Sequence, residues 1–114
     1  MVMVGDTLAP NVEHDKILSA PANKDLRVTA KVTDPSGVKW VRLRYRHLTQ
    51  YEDYLTLEMK PGESGLYTAI IPGDFIIPQW DLMYFIEAMD NKGNGRIYPD
   101  LEYQSPYIIV ELER

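Results

Sequence analysis

The side chains in this sequence that could move a proton, attack a carbonyl or ligate a metal are few and scattered. His14 lies in a loose opening segment and His47 near the end of an alternating apolar run, without the spacing that puts two imidazoles on one metal. Ser36 and Ser64 sit in glycine-containing turns, neither has an evident histidine partner, and there is no Gly-x-Ser-x-Gly elbow. The chain has no cysteine, which excludes thiol nucleophiles, thiolate ligands and disulfides. Many carboxylates are present, but they fall on alternating positions that keep a surface solvated. A paired-carboxylate hydrolase needs a deep groove, for which 114 residues leave little room. No glycine-rich phosphate loop lies between a strand and a helix. The expectation is a protein that is not an enzyme, with no catalytic residue, cofactor or metal.

Oxygen-rich turns are the nearest approach to a metal motif. Asp34 and the run Asp90-Asn91-Lys92-Gly93-Asn94-Gly95 are expected to meet at one end of the fold, where loop oxygens can hold calcium. Lys92 stands where a calcium loop wants another oxygen, so turn chemistry is the expected use.

Composition narrows the partners. Twelve basic residues against seventeen acidic give a formal net charge of −5, the wrong sign for displacing counterions from a phosphate backbone, so no nucleic-acid partner is expected. Hydrophobic residues make up 45% and charged residues 25%, which suits one globular domain over 1–114 rather than a disordered chain. No apolar run reaches the ~20 residues of a membrane helix. Residues 1–6 are expected to lie outside the folded domain, disordered or expression-derived, and Met1–Gly5 is too short for a signal peptide. With a charged strand-like end at Glu111–Arg114, the chain reads as a segment of a larger extracellular or cell-surface protein.

The elements that must position these groups are strands. Leu82, Tyr84, Ile86 and Ala88 alternate with Met83, Phe85, Glu87 and Met89, and the run stops at the turn beginning with Asp90. Leu26, Val28, Ala30 and Val32 alternate with Arg27, Thr29, Lys31 and Thr33. After the turn Asp34-Pro35-Ser36-Gly37, Val41, Leu43, Tyr45 and His47 alternate with Trp40, Arg42, Arg44 and Arg46. Tyr54 to Lys60 reads as a strand with Leu55, Leu57 and Met59 inward; Tyr67, Ala69 and Ile71 form a further inward face, as do Ile108, Val110 and Leu112. Residues 6–22, interrupted by Pro10 and Pro21, read as an irregular edge strand and a turn. Phe75-Ile76-Ile77-Pro78 reads as a crossing over one end of the fold, and Arg96 to Pro99 as a strand fragment. No amphipathic helical periodicity is present. About seven short strands punctuated by turns predict an all-β antiparallel sandwich.

Four stretches taken together resemble a fibronectin type III or bacterial immunoglobulin-like domain. They are Val28-Thr-Ala-Lys-Val-Thr-Asp-Pro-Ser-Gly-Val38, Val41-Arg-Leu-Arg-Tyr-Arg46, Tyr67-Thr-Ala-Ile-Ile-Pro72 and Tyr84-Phe-Ile-Glu-Ala-Met-Asp-Asn-Lys-Gly-Asn94. The resemblance runs from about Leu8 to Leu112 and rests on their order and spacing. Leu82 falls where the fibronectin type III group usually has a tyrosine, with Tyr84 one inward position later. Trp40 lies on the strand after the one that usually carries a tryptophan. The bacterial immunoglobulin-like branch is the closer match. The resemblance implies an immunoglobulin-like sandwich serving as an accessory or spacer module of a larger bacterial secreted or surface protein, such as a polysaccharide-active enzyme, with neighbouring domains of the same polypeptide as its partners.

Such a fold sets the strand of Trp40, Arg42, Arg44 and Arg46 beside that of Met83, Phe85, Glu87 and Met89, flanked by Tyr54, Thr56 and Glu58. This outer face is the candidate binding surface. Three uses compete: a solvated face whose arginine stems cover the aromatics and whose heads pair with Glu58 and Glu87, a surface for domain or subunit packing, and an aromatic platform for polysaccharide. Trp80, Phe75 and Tyr51 form a second aromatic group, expected to plug the end of the core.

Overall fold

The computed structural model describes residues 8–49, 51–99 and 107–113. The expectation for residues 1–6 lies outside this range. In chain order the described strands are β1 (Asn11–Glu13), β2 (Ser19–Pro21), β3 (Leu26–Thr33), β4 (Val38–His47), β5 (Leu55–Glu58), β6 (Lys60–Pro61), β7 (Leu66–Ile71), β8 (Leu82–Asp90), β9 (Gly95–Tyr98) and β10 (Ile108–Glu113). The all-β expectation holds. The strand count is corrected from about seven to ten, because period-2 patterning does not register two- and three-residue strands.

β8 is the spine. Along one side it pairs antiparallel with β4, from Val38 opposite Asp90 to His47 opposite Leu82, with an irregularity between Val38 and Trp40. Its other side is shared: β10 covers Leu82–Tyr84, and β9 folds back over Ile86–Met89. β5 flanks β4 and β2 flanks β10, giving the order β2-β10-β8-β4-β5. The second sheet has the order β1-β3-β7-β6. Pairing is antiparallel except between β2 and β10.

The core lies between the sheets and is contributed by alternate residues. Val28, Ala30 and Val32 from β3 meet Val41, Leu43 and Tyr45 from β4 and Leu82, Tyr84, Ile86 and Ala88 from β8. Each fully buried Val, Leu or Ile there contributes about 1.5–3 kcal/mol. Ile76, in the crossing between β7 and β8, is also fully buried, so this segment plugs one end of the core.

Three expectations are corrected. The opening segment is not one irregular edge strand: β1 joins one sheet and β2 the other, so the chain changes sheets between them. Leu55 has inward parity but is 47% exposed, because β6, at the same edge of the facing sheet, has only two residues. Met83 has outer-face parity yet is buried, between Arg46 of β4 and Ile109 of β10 in register.

The β3–β4 turn shows why glycine is required at one position. Gly37 has φ of 92°, and its N–H donates to the Asp34 carbonyl. A Cβ there would also sit 2.6 Å from Asn91 Nδ2 of the β8–β9 turn.

Candidate functional site

The strand registers place Trp40, Arg42, Arg44, Thr56, Glu58, Phe85, Glu87 and Met89 side by side, and ring contacts bring in Tyr54, which precedes β5. Trp40 lies opposite Met89, Arg42 opposite Glu87 and Arg44 opposite Phe85 on β8, while Arg42 faces Glu58 and Arg44 faces Thr56 on β5. Arg42 thus has a carboxylate on each side. Its Nε donates to Glu58 Oε1 at 2.8 Å, and Arg44 Nη1 reaches diagonally to Glu87 Oε1 at 2.8 Å. The Arg42–Glu58 pair is more than a third exposed on both sides, so its net worth is under ~1 kcal/mol.

The guanidinium groups also cover the rings. Arg42 lies 3.8 Å from the Trp40 ring centroid and Arg44 5.8 Å from that of Phe85. Arg46 lies 5.0 Å from the Tyr54 ring, and its Nη1 donates to the carbonyls of Thr49 and Glu52. Tyr54 meets Phe85 edge to face at 4.9 Å. The cations therefore point at carboxylates, rings and loop carbonyls rather than converging on a common point, and the face is not an anion-binding cluster.

The second aromatic group is not assembled. Phe75 stacks on His47 at 4.0 Å and meets Tyr45 edge to face at 5.0 Å, and the Phe75 carbonyl accepts from His47 Nε2. Trp80 and Tyr51 are 42% and 86% exposed and make no ring contact with Phe75. Only Phe75 joins Ile76 in plugging the core.

At the other end, the two turns meet through Asn91. Asn91 Nδ2 donates to the Ser36 carbonyl at 2.8 Å, and Asn91 N–H to that of Gly37 at 3.1 Å. Asp90 is fully buried; its carboxylate accepts from the N–H groups of Lys92 and Asn94 and from Asn94 Nδ2. Asp34 Oδ2 accepts from the N–H and hydroxyl of Ser36. The Asp90 oxygens and Asp34 Oδ2 close turns, while Asp34 Oδ1 is buried without a hydrogen-bond partner among the described residues. No group of three or more metal-ligating side chains is found among the described residues.

Sequence reasoning missed one constellation. His14, in the segment that changes sheets, donates from Nδ1 to the Thr29 carbonyl of β3 at 2.6 Å, and Nε2 receives the Tyr84 hydroxyl of β8 at 2.6 Å. The Thr29 carbonyl can only accept, which places the ring proton on Nδ1 and leaves Nε2 as the acceptor. The Tyr84 oxygen also accepts the Ile17 N–H at 3.1 Å, and the Tyr98 hydroxyl donates to the His14 carbonyl at 3.2 Å. Burial lowers the His14 pKa below its usual 6.5, partly offset by the Thr29 bond and by Asp15. Burial likewise pushes the Tyr84 phenol up to about 12. The one available signal was Tyr84 itself, an inward tyrosine whose hydroxyl must find a partner when buried.

No protein-family model matches the chain, and no curated protein matches it. Among the described residues, no helix is long and apolar enough to cross a membrane.

Proposed function

We propose that this chain is a non-catalytic spacer or domain-packing module, an immunoglobulin-like sandwich of the fibronectin type III kind. It would belong to a larger bacterial secreted or surface protein, such as a polysaccharide-active enzyme. The observation that carries this reading is where the chain enters and leaves the sandwich. Asn11 of β1 pairs with Thr33, beside the β3–β4 turn, whereas Glu113 of β10 pairs with Pro21, beyond the Leu82 end of β8. Entry and exit therefore lie at opposite ends of strands such as the ten-residue β4, roughly 30 Å long at the usual rise per residue. Neighbours joined at these points are held apart along the strand axis by a body with a solid core. The outer face of β4, β8 and β5 adds a surface on which Arg42 and Arg44 are paired with Glu58 and Glu87, suited to packing against a neighbour.

The alternative use of the face, stacking of a sugar ring on Trp40, requires Arg42 to swing off the indole and Glu58 to lose its partner. Limited proteolysis of the full-length parent protein tests the spacer reading: a resistant fragment of this span should be released from between folded neighbours. A gene product consisting of this chain alone would overturn it. Affinity-gel screening on plant, algal and host polysaccharides, with Trp40→Ala as control, separates the alternative; retention that Trp40→Ala abolishes would favour a carbohydrate-binding module.

A further inference from the structure

A sheet edge exposes unpaired backbone groups, and sequences blunt such edges with proline, charge or brevity. Four of the five described edge strands carry a proline inside them or directly beside them: Pro10 before β1, Pro21 in β2, Pro61 in β6 and Pro99 after β9. β5, Leu55-Thr56-Leu57-Glu58, is the exception and ties with β9 as the longest of the five. Its one charged side chain, Glu58, is drawn onto the outer face by Arg42.

Ladder parity identifies which backbone groups are open. Met59 N–H donates to the Val41 carbonyl, and Leu57 and Leu55 follow at the same parity opposite Leu43 and Tyr45. In an antiparallel ladder the residues between them direct their N–H and C=O to the other side. Thr56 and Glu58 therefore present theirs away from β4, where no described strand pairs with them. On the inner side of the same edge, Leu55 is exposed and Leu57 half-buried. Leu57 borders a concavity of about 320 Å³, lined also by Lys60, Thr68 and Ile70 among others.

We propose that the β5 edge is an interaction surface for a second copy of this chain, whose own β5 adds antiparallel about a two-fold axis at Thr56. The register follows from chemistry. With Thr56 opposite its own counterpart, the outward backbone groups of both strands fall in hydrogen-bonded positions, as the parity demands. Leu55 then lies against Leu57 of the second copy, and the reverse, covering both leucines at the open corner of the core. Tyr54 faces Glu58 of the second copy, so no like charges stand directly opposite. Pairing of the same patch on both copies closes the contact and ends growth at a dimer. The proposal does not depend on the spacer reading, because it is tested on this chain alone.

Sedimentation equilibrium should give a mass that rises towards the dimer with concentration, with a dissociation constant tighter than ~1 mM. Thr56→Pro removes the outward N–H at a position where an edge strand tolerates proline, and Leu55→Lys charges an exposed site. Both variants should be monomeric with unchanged far-ultraviolet circular dichroism. Because the chain lacks cysteine, Thr56→Cys can form a disulfide only between copies, and directly opposed strand residues are within disulfide reach. It should cross-link at least ten-fold faster than Lys31→Cys on the other sheet. A strict monomer, a dimer that survives Thr56→Pro, or equal cross-linking at both positions would overturn the proposal. So would an edge that pairs only with an extended segment of an unrelated polypeptide.

Discussion

His14 and Tyr84, 70 residues apart in the chain, share a 2.6 Å hydrogen bond that ties the two sheets together. His14 is held to β3 through the Thr29 carbonyl and to β8 through the Tyr84 hydroxyl, at the segment where the chain leaves one sheet for the other. Every donor in this knot has an acceptor when His14 is neutral. The imidazole also meets the Tyr84 and Tyr98 rings edge to face, at 5.6 and 5.8 Å between centroids.

Removing the hydroxyl should be felt throughout the fold. Tyr84→Phe leaves the Ile17 N–H and His14 Nε2 without their partner in a buried site, at a cost of about 1–3 kcal/mol. Urea unfolding should show a lower midpoint with an unchanged slope. A variant as stable as the wild type would mean that water satisfies both groups at no net cost.

The same knot makes stability pH-dependent. The folded His14 pKa lies below the unfolded value of 6.5, so the unfolded chain takes up the proton first. The stability is fully present above pH 6.5 and is lost as pH falls through the folded pKa. Protonation also puts a second donor on the Tyr84 oxygen, which already accepts from Ile17. Unfolding free energies should therefore fall between pH 7.5 and the folded pKa, by less in His14→Gln than in the wild type. Equal pH slopes in the two proteins would refute this assignment.

Asp90 should be among the least replaceable polar residues. Asp90→Ala removes a fully buried carboxylate and takes the acceptor from the Lys92 and Asn94 N–H groups, and should cost roughly 3 kcal/mol. Hydrogen exchange should locate the loosening in the β8–β9 turn and its neighbour at Gly37. Calcium should leave the melting temperature unchanged if these oxygens only close turns; a rise on adding it would show a metal use instead.

The arginine face was legible in part. Alternation put Trp40, Arg42, Arg44 and Arg46 on one side of β4, and Met83, Phe85, Glu87 and Met89 on one side of β8, because side-chain direction along a strand is a local property. Which carboxylate each arginine takes was not legible. Arg42 stands between Glu58 and Glu87, and only the sheet's geometry sends it to one and Arg44 diagonally to the other. Trp80 and Tyr51 defeated the reading for the same reason, since aromatic composition says nothing about where a turn releases a ring.

What this sequence determined by itself is the set of long strands and their faces. Val28 to Val32, Val41 to Tyr45 and Leu82 to Ala88 alternate so regularly that a slip by one residue would turn each apolar set to solvent. What only the tertiary structure decided is how the strands lie across from one another. The division of the opening segment between two sheets, the burial of Met83, the exposure of Leu55 and the meeting of His14 with Tyr84 depend on contacts between residues far apart in the chain. Period-2 alternation tells a residue which side it faces. The strand or loop that waits on that side is set by the packing of the whole domain.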